Sequence, residues 1–275
     1  MTPPAPALRI IDTHAHVFSM TMPLAEGAWH TPAAEADPPL FLRTLDEHGV
    51  ESGILAGASI SGTNNDYPLA ACDRSPRLRT TVIVAPDCPL EVLQDMARRG
   101  AVGVRFQLRN VARVPDFAST EYRALLRHIA DLGWHVQLHD DARRLPDYLP
   151  GLEAAGVNVV VDHFGRPDLE DGIGGEGFQR LLRSIAGGRT WVKLSSAFRL
   201  GSDALVLQAA STLLEHAGPE RLMWGSDWPF AAFETQVTYT QVLNDLSTWV
   251  PDPVTRHRIA FDTPNLFFRP RHDQD

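Results

Sequence analysis

Two histidines spaced two residues apart are the side chains that bear most directly on chemistry. His14 and His16 follow a short apolar run that begins at Leu8. Side chains at positions i and i+2 of a strand point to the same face, so both imidazoles would project toward a single metal ion or substrate. The pair is a weak motif when taken alone. It gains weight because other polar groups end apolar runs in the same way.

The same context recurs three times further along the chain. His139 ends an apolar run that begins at residue 134, His163 follows the run 157–162, and Asp227 follows the run 221–226. Three of these imidazoles together with the carboxylate form a donor set that suits Zn²⁺. An open position would then remain for a water molecule whose pKa the metal lowers to about 7. The pattern therefore predicts a site for a divalent metal.

These polar groups need a scaffold that brings their strand ends together. Runs rich in valine, isoleucine, leucine and aromatic residues alternate with helix-like segments, which is typical of βα units and a parallel sheet. We predict eight strands, at residues 8–13, 52–56, 78–84, 101–106, 134–138, 157–161, 190–194 and 221–224. Eight units in 275 residues indicate a single-domain α/β protein with a (β/α)8 (TIM) barrel. In that fold the active site lies at the carboxyl ends of the strands.

Apolar periodicity and terminal glycines predict the helices. They span residues 40–48, 90–99, 122–132, 145–155 and 178–186, and a glycine follows each of them. A further helix, which Ser202 or Asp203 can cap, carries Leu205, Ala209 and Leu213 on one face. The segment 19–39 holds four prolines and lacks periodicity, which predicts a loop beside the first strand. Residues 1–7 and 270–275 are predicted to be frayed ends.

Composition excludes several classes of function. The chain is 44% hydrophobic and can bury a sizeable core. Its net charge of −9, without long runs of lysine and arginine, disfavours a nucleic-acid partner. Cys72 and Cys88 are too few for a disulfide framework, and no apolar run approaches the ~20 residues of a membrane span. We therefore expect a cytoplasmic protein with no membrane partner, while the oligomeric state stays open.

Three motifs resemble those of the amidohydrolase superfamily. They are DTHAH at residues 12–16, HFGRP at residues 163–167 and WGSDWP at residues 224–229. These motifs are similar to the strand-one, strand-six and strand-eight motifs of the branch that holds 2-pyrone-4,6-dicarboxylate lactonase and sugar-acid lactonases. The resemblance covers nearly the whole chain and implies a distorted (β/α)8 barrel.

The resemblance also implies a function, the opening of a carboxylated lactone by attack of water on its carbonyl. Asp227 matches the general base of that family, and His14, His16 and His163 match carbonyl-polarising or metal-binding groups. The positions that match substrate-binding residues are Arg105, Arg199, Ser59 or Ser61 and, more loosely, Arg109.

Two positions depart from the pattern of the pyrone lactonase, which has tyrosine in place of His139 and another tyrosine near His30. A histidine on strand five resembles instead the zinc-dependent members of the superfamily. This similarity implies one divalent metal, with zinc favoured, whose ligands are His14, His16, His139 and Asp227. Metal-independent catalysis is the alternative, and Asp140, Asp141 or His135 could share the position of His139.

Two other functions and one other role stay open. The same site could serve a zinc-dependent non-oxidative decarboxylase with His163 as the proton donor. The barrel could also be a non-catalytic binding protein, although folding does not require several ionisable groups to converge at strand ends. Finally, Arg105 or Arg199 could shape the rim of the site by pairing with Asp140, Asp141 or Asp162.

Overall fold

Eight short parallel strands form the centre of the molecule. The structure is a computed structural model that describes residues 8–112 and 114–268. The strands are Ile11–Ala15 (β1), Ser52–Leu55 (β2), Leu78–Val82 (β3), Ala101–Gln107 (β4), His135–His139 (β5), Asn158–Val161 (β6), Thr190–Ser195 (β7) and Leu222–Gly225 (β8). Each strand pairs in parallel with the next one along the chain. The eight predicted strands are confirmed, with ends shifted by up to three residues.

Backbone hydrogen bonds beyond the ends of β1 and β8 bring the first and last strands together. The N–H of His16 donates to the Trp228 carbonyl oxygen at 2.7 Å, and the N–H of Asp227 donates to that of His14 at 2.7 Å. The register shifts once between β1 and β2 and once between β3 and β4. The chain thus forms the predicted (β/α)8 barrel, distorted at these two strand pairs.

One helix follows each strand. The helices are Pro38–Glu47 (α1), Asp66–Arg74 (α2), Leu90–Arg98 (α3), Thr120–Asp131 (α4), Leu145–Ala154 (α5), Glu176–Ala186 (α6), Asp203–Ala217 (α7) and Tyr239–Trp249 (α8). Asp37, Ser119, Ser202 and Thr238 cap four of them through side-chain oxygens. Ser202 rather than Asp203 therefore caps α7. None of the described helices is long and apolar enough to cross a membrane.

The last described residues cover the amino-terminal end of the barrel. Pro253–His257 (α9), a π-helical turn at Arg258–Asp262 and Thr263–Phe267 (α10) follow one another. Phe261 and Phe268 pack there against a cluster that contains Ile11, Ile54 and Met223. This segment, residues 253–268, lies at the end of the barrel opposite to the one at which the predicted histidines meet. The predicted frayed ends lie outside the described residues.

Backbone hydrogen bonds hold the two ends of the loop between β1 and α1 together. Phe18 and Ala36 form an antiparallel bridge through backbone hydrogen bonds of 2.8 and 3.0 Å. The helix then begins at Pro38, earlier than the sequence predicted, because proline suits the first turn of a helix. The indole Nε1 of Trp29 donates to Ser59 Oγ at 3.2 Å, which ties this loop to the one after β2.

Candidate active site

The polar residues singled out from the sequence meet at the carboxyl end of the barrel. His14 lies within β1, His16 directly follows it, and His139 is the last residue of β5, while His163 and Asp227 lie two residues beyond β6 and β8. Four of these side chains line a cleft of about 410 Å³, and His14 is fully buried behind them. A cleft of this size suits a small molecule.

His16 and Asp227 face each other across the cleft wall. His16 Nε2 lies 3.5 Å from Asp227 Oδ1. The Nδ1 atom of His16 is 2.8 Å from the carbonyl oxygen of Ala56, which can only accept a hydrogen bond, so Nδ1 carries the proton. In neutral His16 the lone pair is therefore on Nε2 and points toward the carboxylate.

His14 has the same tautomer and faces the same oxygen. Its Nδ1 lies 3.2 Å from Asp162 Oδ1, which can only accept a hydrogen bond when ionised, so Nδ1 carries the proton, and its Nε2 lies 3.6 Å from Asp227 Oδ1. Burial lowers the pKa of His14 to about 4, so the ring is neutral at pH 7. Within the described part of the chain, the buried Nε2 atom has no hydrogen-bond partner.

Two imidazole lone pairs and one carboxylate oxygen thus converge. The ligand atoms of His14, His16 and Asp227 all lie within 4.8 Å of one another. Three acceptors facing one another repel unless a cation or a hydrogen-bond donor lies between them. The arrangement fits a divalent metal ion, and Asp162 is placed as the carboxylate that orients a ligating histidine.

Asp162 is the centre of a buried polar network behind the cleft. It accepts hydrogen bonds from Nε and Nη2 of Arg105, both at 3.2 Å, and from Gln137 Nε2 at 2.8 Å. Lys193 Nζ lies 3.8 Å away. Burial by itself would raise the pKa of Asp162, but the Nδ1–H of His14 and the guanidinium of Arg105 hold it well below its ordinary value. The ionised carboxylate therefore keeps the proton of His14 on Nδ1.

His163 and His139 form a second pair of imidazoles. Their ring centroids lie 4.8 Å apart, and His163 Nδ1 is 2.8 Å from Ser195 Oγ. Burial lowers the pKa of both rings well below the ordinary value, so both are neutral at pH 7. Among the described residues, the compact ligand sets do not include His139, although both of its nitrogens are buried without a partner. Its role as a fourth ligand stays a prediction.

Residues in the turn after β7 bind the other carboxylate oxygen of Asp227, Oδ2. Arg199 Nε donates to Asp227 Oδ2 at 2.7 Å, and the Ser196 hydroxyl donates to the same oxygen. Burial would raise the pKa of Asp227, but the guanidinium of Arg199 holds it well below its ordinary value. Asp227 is therefore ionised at neutral pH, with Oδ1 directed toward the histidines.

The three predicted arginines all line the cleft, in different environments. Arg105 is only 3% exposed, and its three guanidinium nitrogens donate to Asp162 and to the carbonyl oxygen of Gly57. This geometry matches the alternative in which Arg105 pairs with a buried aspartate and shapes the site. Arg199 pairs with the candidate base instead, and Arg109 is 40% exposed.

The two predicted serines lie in different places. Ser59 lines the cleft beside Trp29, whereas Ser61 lines a neighbouring cleft of about 310 Å³ that also contains Tyr67. Both belong to one turn of 3-10 helix, Ser59–Ser61, in which residues two apart face different directions. Only Ser59 of the pair therefore borders the histidine-lined cleft.

Sequence reasoning missed several polar residues that build the site. They are Gln137, Arg166 and Lys193, while Asp162 was named only as an alternative partner of an arginine. Gln137 and Lys193 lie inside β5 and β7, two positions before His139 and Ser195. Residues two apart on a strand share a face, so the position of Gln137 two residues before the candidate His139 was the usable signal.

Comparisons with known proteins agree with this geometry. The chain matches a family model described as "Amidohydrolase" over residues 11–269. The 4-sulfomuconolactone hydrolase of Rhizobium radiobacter is 32% identical over 276 residues, covering 94% of this chain and 89% of that protein. The 2-pyrone-4,6-dicarboxylate hydrolase of Comamonas testosteroni is 29% identical, covering 94% and 90%. A crystal structure described as a probable 2-pyrone-4,6-dicarboxylic acid hydrolase from Acinetobacter baumannii with citric acid bound has a TM-score of 0.90 at 32% identity, covering 94% of this chain and 98% of that chain.

Proposed function

Because the chain belongs to the amidohydrolase family, we propose that it is a hydrolase that opens the ring of a carboxylated lactone with water. One observation carries the proposal. An ionised, buried carboxylate faces two imidazole nitrogens at 3.5 and 3.6 Å in a cleft that arginines line. The two curated relatives described above are named as hydrolases of a muconolactone and of a pyrone dicarboxylate. A carboxylated lactone combines both requirements of the site, an ester carbonyl and an anionic group.

Asp227 is the general base of the proposed reaction. Its Oδ2 atom is occupied by Arg199 and Ser196, which leaves Oδ1 to accept a proton from the attacking water. The water oxygen then bonds to the lactone carbonyl carbon and forms a tetrahedral oxyanion. Because the carboxylate is fixed by two donors, it needs no rearrangement when the proton arrives.

His163 is the hydrogen-bond donor to the oxyanion in the proposed reaction. When the Ser195 hydroxyl donates to Nδ1, the ring proton is on Nε2, and His163 lines the cleft. This N–H stabilises the oxyanion by donating a hydrogen bond to it. As the carbon–oxygen bond breaks, the proton that Asp227 took from water passes to the ring oxygen, so one water molecule is consumed and both side chains are regenerated.

His14, His16 and Asp227 are the residues that would hold a divalent metal, with zinc favoured and His139 as the predicted fourth ligand. Such an ion, when bound, withdraws charge from a carbonyl oxygen and lowers the pKa of water. The buried, unpartnered Nε2 of His14 supports this assignment. Metal-independent catalysis by the same residues is the alternative that removal of the metal tests.

Metal removal is expected to inactivate the protein reversibly. Treatment with 1,10-phenanthroline should lower activity at least about 10-fold, and added Zn²⁺ should restore it. His16→Asn should lower the metal content measured by elemental analysis. His48→Asn is the matched control, because His48 bonds to Thr44 and Thr240 instead. Full activity in metal-free protein would contradict the metal assignment.

Arg199→Met is expected to separate substrate recognition from support of the base. Arg199 pairs with Asp227, so its loss should slow hydrolysis of every lactone. A carboxylated lactone should lose a further 10- to 150-fold, roughly, in kcat/KM, because a charge-assisted hydrogen bond is also lost. Steady-state kinetics on a carboxylated lactone and its neutral amide measures both effects. An equal loss on the two substrates would show that Arg199 acts only through Asp227.

The function is tested on the lactones themselves. Purified protein is incubated with 4-sulfomuconolactone, 2-pyrone-4,6-dicarboxylate and the uncharged δ-valerolactone, and acid release is followed in a pH-stat. We expect rapid acid release from at least one anionic lactone and little from the uncharged one. Release of CO₂ would indicate a decarboxylase instead. Absence of turnover on both anionic lactones would contradict the proposal as stated.

A further inference from the structure

The turn after β6 has an unusual backbone. His163, Phe164, Gly165 and Arg166 have φ values of 56, 58, 73 and 47°, so four consecutive residues adopt the left-handed conformation. A non-glycine residue is disfavoured in this region because its Cβ atom crowds the following carbonyl oxygen. Glycine suits position 165 because of its positive φ, and a Cβ atom there would lie 2.2 Å from Leu181 Cδ2. Strained backbone of this kind is concentrated at functional sites.

The strained turn brings two side chains to the same cleft. The Arg166 N–H donates to the His163 carbonyl oxygen at 2.9 Å, which links the two residues rigidly. Both line the cleft, although Arg166 is only 9% exposed. The proposed mechanism uses His163 and gives Arg166 no task. The proposed mechanism therefore does not explain why a strained backbone places the buried Arg166 side chain at the cleft.

Arg166 shares one counter-ion with Arg109. The Nε atoms of Arg166 and Arg109 lie 3.0 and 3.3 Å from the same atom, Asp141 Oδ1. Within the described part of the chain, the terminal nitrogens of both guanidinium groups make no hydrogen bond to a protein acceptor. Two cationic groups thus keep several donors available at the edge of the cleft.

Free donors together with charge distinguish this edge from the rest of the site. Asp227 is paired with Arg199, and Asp162 lies beside Arg105 and Lys193, whose N–H groups donate to buried protein acceptors. Asp141 is shared by two guanidinium groups, so this edge carries an excess positive charge. A planar guanidinium with free terminal nitrogens matches a carboxylate or sulfonate group.

We infer that Arg166 and Arg109, bridged by Asp141, form an anion subsite that binds a carboxylate or sulfonate substituent of the substrate. The subsite lies on the loops after β4, β5 and β6, away from Arg199 after β7. The inference rests on the proposed function in taking that substituent to belong to a lactone. Asp141 is a positioning residue, because it holds both guanidinium groups side by side without neutralising them.

The subsite is tested by equilibrium binding, which does not depend on turnover. Isophthalate, 3-sulfobenzoate and benzoate are titrated into the protein by calorimetry. The two dianions should bind at least about 10-fold more tightly than benzoate, as expected for one charge-assisted hydrogen-bonded pair. A preference limited to isophthalate or to 3-sulfobenzoate identifies the anion as carboxylate or sulfonate. Arg166→Gln should reduce the ratio of dianion to benzoate affinity toward one.

Two further variants complete the test. Arg143→Gln removes the same charge from a side chain that is 69% exposed and outside the cleft, so it should keep the wild-type ratio. Arg109→Gln alters the more exposed partner and should lower the ratio even if Arg166→Gln fails to fold. Wild-type protein without a preference for the dianions, or equal weakening of all three ligands in both cleft variants, overturns the subsite. Failure of lactone hydrolysis alone leaves these binding results standing.

Discussion

Replacing Asp227 with asparagine is expected to lower kcat by about 100- to 10,000-fold. The amide keeps the shape of the carboxylate but cannot take a proton from water. It also removes the negative charge that faces His14 and His16 at 3.6 and 3.5 Å. Steady-state kinetics on the lactone that wild-type protein hydrolyses fastest measures the change.

A matched control separates this effect from a general loss of charge. Asp168 pairs with Arg143 at 3.7 Å outside the cleft, so Asp168→Asn makes the same chemical change and should leave kcat unaltered. Thermal unfolding establishes that both variants fold. A folded Asp227→Asn protein that keeps more than about a tenth of kcat would remove Asp227 from the mechanism.

Asp162→Asn is expected to have the largest effect on stability, a loss of about 3–5 kcal/mol in the free energy of unfolding. The side chains of Asp162 and Arg105 are 0% and 3% exposed, so the variant leaves a buried guanidinium without its counter-charge. In thermal unfolding this loss corresponds to a decrease in Tm of about 10 °C. Denaturant titration at neutral pH measures the free energy directly.

The pH dependence of this loss has a definite sign. Because the folded pKa of Asp162 is depressed, its contribution is present above the unfolded pKa of about 3.9 and is lost as the pH falls through the folded value. The stability curves of wild-type and variant protein should therefore converge in acid. The pair of Asp168 and Arg143, whose side chains are 27% and 69% exposed, provides the comparison, with at most about 1 kcal/mol expected for Asp168→Asn. A loss below about 1 kcal/mol for Asp162→Asn would contradict the ion pair.

The barrel was predictable because its strands are apolar runs that end at polar residues and because glycines end most of its helices. Two helices, α2 and α8, were not predicted from the sequence. In α2 only Leu69, Ala71 and Cys72 are buried, and Pro68 lies in the first turn, where proline is tolerated but weakens the helical pattern. In α8 the residues Asn244 and Asp245 have low helix propensity, and packing of the buried face overrides it.

The site was predictable where its residues end strands. His14, His16, His163 and Asp227 stand out in the sequence because they interrupt apolar runs. The choice among their partners does not follow from the sequence, since Arg105 had three alternative aspartates and Asp162 lies 57 positions away from it. Only the closed barrel brings that pair together. The same applies to Arg166, whose motif was visible but whose left-handed turn toward the cleft was not.

Hydrolysis in ¹⁸O-labelled water tests the central claim most directly. The protein is incubated with 2-pyrone-4,6-dicarboxylate or 4-sulfomuconolactone, and the product is analysed by mass spectrometry after a single turnover. The proposed mechanism predicts a ring-opened acid that carries one solvent oxygen in its new carboxylate, formed by wild-type protein and not by the Asp227→Asn variant. A product without solvent oxygen, such as an isomerised lactone or a decarboxylated ring, would contradict it.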